Sequence, residues 1–228
     1  MTNLPLVFAG ESFLAHPSGA LIWPAQQALL VADLHLEKAS AFAQGGQFLP
    51  PYDSLQTIAK LESLVASTGM KRLLSLGDSF QDAKASQRLP QDLVERLEKL
   101  HEICPITWIK GNHDPVVEGV PGEFIDQLTL QGIGLQHEPC QNSETECPPQ
   151  IFGHLHPKVL INGRGKTFSK PCFVQGIARL ILPAFGVFVG GLRVSDPDVK
   201  SMFAQEPRYL ALGKNAVLPV ASGLPRKR

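Results

Sequence analysis

Hydrophobic and polar positions along the 228-residue chain change period several times. Residues 12–15 and 20–23 are short, mostly apolar runs on either side of His16-Pro17-Ser18-Gly19, which predicts a β-hairpin around a turn. Residues 28–32 are continuously apolar, the pattern of a strand buried on both faces, and the run stops at Asp33. The period then lengthens. Leu55, Ile58, Leu61, Leu64 and Val65 fall at helical spacing and predict a helix over 52–67, with Asp53 as N-cap and Gly69 at the C-terminal cap. A strand at 72–76 ends at Gly77-Asp78. A helix at 91–102 turns Leu93, Val94, Leu97 and Leu100 inward, and a strand at 106–109 ends at Gly111-Asn112-His113-Asp114. This is a βαβαβ series, the signature of an α/β core.

Further along, helical spacing gives way to short strands at 133–136, 151–152, 173–174, 179–182 and 187–188. Asp196-Pro197 is placed to cap a short helix over 198–204, and strands follow at 209–212 and 216–218. The predicted architecture is a single domain, residues 1–228, with two mixed sheets packed face to face and helices outside. The basic end of the chain, residues 222–228, is expected to be a solvated, frayed tail.

Composition narrows the class. Apolar residues make up 43% and charged residues 18%, a folded rather than a disordered profile. Lys+Arg and Asp+Glu are both 21, so no global basic field points to nucleic acid, and a local patch would have to serve. Lys38, Arg164, Lys166, Lys170 and Arg179 are candidates for one, each more ordinarily a solvated charge. The N-terminus has no basic residue before an apolar run. The longest apolar stretch, 180–192, is broken by Pro183 and Gly186, so the expectation is a cytoplasmic protein without a membrane span. Cys104, Cys140, Cys147 and Cys172 form no Cys-x-x-Cys pair and read as free thiols, with a Cys140–Cys147 bridge left open.

The chemistry lies in five polar clusters, most of them directly after a predicted strand. They are Asp33-Leu34-His35, Gly77-Asp78, Gly111-Asn112-His113-Asp114, His137, and Gly153-His154-Leu155-His156. Strand ends on one edge of an α/β sheet converge, and five of the seven histidines fall in these clusters. Asp33 and His35 are two apart, as are His154 and His156, so each pair can point the same way. The Asp78 carboxylate has two oxygens and can bridge two cations. Carboxylate, imidazole and amide donors without thiolate suit Mn²⁺, Fe²⁺ or Zn²⁺ in a non-structural site. Singly, each motif is weak: Asp-x-His can be a surface pair, Gly-Asn-His-Asp a turn, and His137 a hydrogen-bonded loop histidine. Their joint presence in this order carries the reading.

That order resembles the calcineurin-like metallophosphoesterase superfamily over residues 33–156. The resemblance implies a four-layer αββα sandwich with two divalent metal ions at the strand ends. Asp33, His35, Asp78 and His156 would hold one ion. Asp78, Asn112, His137 and His154 would hold the other, with Asp78 bridging. His113 would be the catalytic residue, as general acid or transition-state stabiliser, while a hydroxide bridging the ions attacks phosphorus. The run from Gly77 to Asp82 departs from the protein-phosphatase pattern: its second acid comes four residues after Asp78 and no Arg-Gly follows. That puts in doubt Asp82 as the partner of His113. Asp33-Leu34-His35-Leu36-Glu37-Lys38, Leu49-Pro50-Pro51-Tyr52-Asp53 and the 76–82 segment are similar to bacterial ligase-associated DNA damage response endonucleases. That likeness implies Mn²⁺-dependent phosphodiesterase or nuclease activity on DNA, in a repair setting with a DNA ligase, a helicase and a nuclease. The alternatives are a hydrolase of a small nucleotide or pyrophosphate-linked substrate and a non-catalytic scaffold. A lipid-linked substrate would want an exposed apolar lid, which the sequence does not announce. A homodimer is the symmetry base-rate expectation.

Overall fold

A computed structural model describes residues 2–113, 117–163 and 165–220. Asp114 of the third motif, Arg164 of the suggested basic patch and the basic tail lie outside them.

The first sheet has seven strands in chain order: β1 (Leu4–Phe8), β2 (Glu11–Ala15), β3 (Leu21–Trp23), β4 (Ala28–Val31), β5 (Arg72–Leu76), β6 (Ile106–Ile109) and β7 (Glu123–Ile125). Strands β1 to β4 pair antiparallel, and β4 to β7 pair parallel. The expected hairpin is β2–β3, and β1 extends it outward. The second sheet contains β8 (Leu128–Leu130), β9 (Ile133–Leu135), β10 (Gln150–Phe152), β11 (Lys158–Gly163), β12 (Lys166–Gln175), β13 (Arg179–Ile181), β14 (Arg208–Leu212) and β15 (Val217–Val220). Its order is β15-β14-β12-β13-β10-β9-β8, with β11 hairpinned onto β12.

The helices are α1 (Lys38–Gln44), α2 (Asp53–Thr68), α3 (Ala85–Arg88), α4 (Gln91–Ile103) and α5 (Pro197–Lys200). The predicted apolar stripes of α2 and α4 pack on the outer face of the first sheet, where Ile58, Leu61, Leu97 and Leu100 meet Leu29, Val31 and Leu73. A second core, including Leu30, Leu74, Ile109, Leu135, Ile151 and Leu180, lies between the two sheets. Continuously apolar strands therefore bury both faces, as periodicity required. The outer face of the second sheet is covered by α5 through Val199, together with Leu192, Val194, Met202 and Phe203.

Three local expectations are corrected. Asp53 is the first residue of α2 rather than its cap, because its carboxylate accepts the Ala39 N–H at 2.9 Å and fastens α1 instead. Residues 187–188 form no strand; they lie in a loop that leaves the sheet after Phe185. Cys140 and Cys147 are joined as a disulfide, with their Cα atoms 6.5 Å apart across a tight loop, while Cys104 and Cys172 remain free and buried. Asp196 does cap α5, accepting the Asp198 N–H at 3.1 Å.

Candidate metal centre

The C-terminal ends of β4, β5 and β6, with the segments after β9 and β10, converge on one edge of the sandwich. Beyond β4 the chain keeps strand-like alternation. Leu34 and Leu36 point into the core under α2, while Asp33 and His35 point to the site. The backbone is held by Asp33 N–H to Gly77 O (3.1 Å) and His35 N–H to Asp78 O (2.9 Å). Leu155 is likewise buried between His154 and His156. This alternation is not ordinary strand geometry: Asp33, His35, Asp78, His154 and His156 all have positive φ, between 45° and 68°. Non-glycine residues rarely occupy that region, and such strain concentrates at functional sites.

Asp33, His35 and His156 bring one potential ligand atom each within 4.8 Å of one another, and Asp78, His137 and His154 do the same. His156 Nε2 is 3.3 Å from Asp33 Oδ1 and 3.4 Å from His35 Nε2. His35 Nε2 is 3.9 Å from Asp78 Oδ2, and His137 Nε2 is 3.4 Å from Asp78 Oδ1, so the two carboxylate oxygens of Asp78 face the two groups separately. Asn112 stands at the rim, where its Nδ2 donates to Glu138 Oε1 at 2.6 Å. His113 is half-exposed, with Nε2 3.9 Å from Asp78 Oδ2 and Nδ1 3.1 Å from the Gln81 carbonyl. All eight residues proposed from sequence therefore meet in one place.

The donor chemistry fits cations. His137 Nδ1 donates to the Leu76 carbonyl at 3.1 Å, so Nε2 is the nitrogen left for the site, facing Asp78 Oδ1 at 3.4 Å and His154 Nδ1 at 3.1 Å. Ring nitrogens and carboxylates thus point at each other, an arrangement that a shared positive charge resolves. His35 Nδ1 is buried without a hydrogen-bond partner. Burial drives the His35 pKa down to about 4, against the pull of Asp33 and Asp78. Burial also opposes charge on His137, yet its hydrogen bond to Asp78 and the charges of Asp78 and Asp33 win, and its pKa is raised. Burial would raise Asp78, but the His137 bond and charge hold it well below the usual carboxylate range. His154 is lowered, first by burial and then by the charge of His137.

Backbone detail supports the side chains. Gly77, at φ +78°, is where a Cβ would sit 2.3 Å from the His137 ring; only glycine lets β5 end against that imidazole. Asp33 is further fixed by the His154 N–H, 3.1 Å from both of its oxygens.

Three residues near the site escaped the sequence reading. Glu138 directly follows His137 and contacts both Asn112 and His154. Buried Glu37 is the third member of the Asp33–His35 alternation, and accepts from Ser40 and Ser54 Oγ at 2.7 Å each. Lys158 begins β11 two residues after His156. The doubt about Asp82 holds, because it pairs with both terminal guanidinium nitrogens of Arg88, at 3.1 and 2.7 Å. Of the suggested basic patch, Arg179 is corrected: it is buried and donates to the carbonyls of Met202, Cys140 and Asn142. Its planar fork folds the second sheet's outer loops rather than facing a ligand. Lys166 and Lys170 are exposed on β12.

The chain is similar in structure to a nuclease of Pseudomonas putida, MPE, with a TM-score of 0.75 and 31% identity; the match covers 96% of this chain and 100% of that one. It is also similar to YfcE, a phosphoesterase from E. coli, at 16% identity over 86% of this chain and 99% of that one, with a TM-score of 0.42. No family model and no curated protein matches it.

Proposed function

The chain belongs to the calcineurin-like metallophosphoesterase superfamily and is a metal-dependent phosphoesterase; from that premise we propose that it is a dinuclear phosphodiesterase acting on DNA. The observation that carries the dinuclear reading is the pair of donor groups on either side of Asp78, one with Asp33, His35 and His156, the other with His137 and His154. Asn112 completes the second set through its amide oxygen. Two bound divalent ions supply charge neutralisation and activation of water near neutral pH. The chain's own part is to hold and orient. Asp78 separates the two donor groups, and the backbone fixes Asp33 and His137. The Gln81 carbonyl accepts a hydrogen bond from His113 Nδ1 and leaves Nε2 turned inward, where the protonated ring stabilises developing charge or protonates the leaving oxygen.

Two features support a nucleic-acid substrate. Lys38 opens α1 directly after the Asp33–Glu37 segment, and Lys158 begins β11 two residues after His156, so a basic residue flanks each of these two ligand motifs. The loop from Gly186 to Gly191 starts at the Asp33 carbonyl and returns at the Leu155 carbonyl, and it carries Phe188, exposed and 6.1 Å from the exposed Tyr52 ring. Basic and stacking groups together suit a phosphate backbone with unpaired bases. The similarity to a nuclease adds to this. Manganese as the metal and a repair setting with a DNA ligase, a helicase and a nuclease belong to the same reading and rest on the motif resemblance. A homodimer rests on symmetry base rates alone. Among the described residues no helix is long and apolar enough to cross a membrane.

A second reading, hydrolysis of a small nucleotide or pyrophosphate-linked substrate, draws on the exposed Phe48, Tyr52 and Leu55, an apolar surface that the sequence does not announce. One panel decides: metal-stripped protein is resupplied with Mn²⁺ and given single-stranded, nicked and duplex DNA, nucleoside diphosphates and a bis-aryl phosphodiester. DNA cleavage that vanishes on chelation is expected. Cleavage of the generic diester and nucleotides without DNA cleavage selects the second reading, and turnover surviving exhaustive chelation sinks both.

A further inference from the structure

Glu138 has no place in the ligand sets above, yet it touches two members of one of them. Its Oε1 accepts from Asn112 Nδ2 at 2.6 Å and lies 3.8 Å from His154 Nε2. Each contact decides which atom of the ligand residue is left for an ion. An amide coordinates a metal through oxygen. A carboxylate facing Asn112 repels Oδ1 and attracts Nδ2, so it turns Oδ1 toward the site. His154 has its Nδ1 against His137 Nε2 in the donor group and its Nε2 toward Glu138. A carboxylate there favours the tautomer with hydrogen on Nε2, leaving the Nδ1 lone pair for the ion.

The support for Glu138 is itself built. Its carbonyl accepts from Gln136 Nε2 at 2.8 Å, which also reaches the buried Gln150 Oε1 at 3.1 Å. Gln150 Oε1 takes the Cys140 N–H at 3.0 Å, and the Cys140 carbonyl takes Arg179 Nη2 at 2.9 Å. The Cys140–Cys147 disulfide closes the loop that follows. Buried Arg179 and Gln150, neither of which reaches the donor groups, thereby fix the segment that carries Glu138.

Resting on the dinuclear reading, we propose that Glu138 is a positioning residue specific to the second metal site, aiming Asn112 and His154 together and leaving the Asp33–His35–His156 site untouched. Removing it should therefore uncouple the two sites.

The test titrates Mn²⁺ into the metal-stripped full-length chain and follows occupancy by calorimetry and by the exchange-coupled electron paramagnetic resonance signal of paired ions. The parent should bind two ions. Glu138→Ala should keep one at parental affinity and bind the other roughly 10- to 100-fold more weakly, losing the coupled signal at stoichiometric Mn²⁺. Glu138→Gln, whose amide oxygen still accepts from Asn112, should recover most of the loss. Two ions bound with parental affinity in Glu138→Ala would overturn the proposal, as would an equal weakening of both sites or an equal loss in Ala and Gln variants. A parent that binds no pair of ions would instead overturn the dinuclear reading on which it rests.

Discussion

Gly77→Ala probes the closest backbone approach in the site. The new Cβ would lie 2.3 Å from His137 Cγ and Nδ1, where ordinary contact begins at 3.4 Å, so the imidazole must retreat by about 1 Å. It cannot do so freely, because Nδ1 is tied to the Leu76 carbonyl at 3.1 Å. Two costs combine. An alanine at φ +78° loses about 1–2 kcal/mol to left-handed strain. Overpacking against a buried ring adds about 1–3 kcal/mol. A domain of ordinary stability, about 5–15 kcal/mol, still folds under that load. Function suffers more, since a misplacement of about 1 Å at a reacting centre can cost about 100-fold in rate. Gly69→Ala is the control. It has φ +66° at the C-terminal cap of α2, and no atom lies within 4 Å of its added Cβ, so it should lose about 1–2 kcal/mol and keep full activity. Thermal melts, Mn²⁺ binding and bis-aryl phosphodiester turnover would be compared for both variants. If Gly77→Ala matches Gly69→Ala in turnover and in the affinity of the second ion, the packing of β5 against His137 does not hold the site, and the reasoning fails.

Other outcomes follow from the same contacts. His113→Ala should cut turnover by roughly 100- to 10,000-fold while retaining both ions; unchanged turnover would remove His113 from catalysis. Lys60 is half-buried against the Phe185 ring at 3.8 Å and donates to the Phe185 carbonyl at 2.8 Å, and burial lowers its pKa to about 8. The folded pKa lies below the unfolded 10.5, so charge on Lys60 disfavours folding below pH 8, and stability should rise as pH climbs from 8 to 10.5. The effect is at most about 3 kcal/mol, and the difference between parent and Lys60→Met denaturation curves across that range isolates it; parallel curves would refute it. Opening the Cys140–Cys147 loop with Cys140→Ser should cost about 2–3 kcal/mol by the loop-entropy relation, read as a lower melting midpoint that reductant no longer shifts.

Much of the site was readable because its signals are local. Asp33 and His35, or His154 and His156, need only two-residue spacing at a strand end to share a direction, and the buried Leu34 and Leu155 between them show that spacing at work. The helical stripes of α2 and α4 were equally plain, since burial against a sheet imposes their period. Elements with mixed or short patterns were not. Strand β1 is apolar throughout although Pro5 and Val7 are exposed, and the β11 hairpin arm and α1 carry no clean period because each is only partly buried. Asp53 misled for a related reason: a side chain near a helix start has several N–H donors within reach, and tertiary packing offered it that of Ala39.

Sequence by itself determined the α/β core and which residues could serve as donors, none of them a thiolate, because residue identity and period are properties of the string. Tertiary structure alone decided which donors meet. Asp33 and His156 are brought within 3.3 Å by the packing of two sheets, although they stand 123 positions apart in the chain. The same packing put Arg179 under a loop instead of beside a ligand and set Glu138 against Asn112. Such pairings depend on strand order and register across separate sheets, and local sequence carries neither.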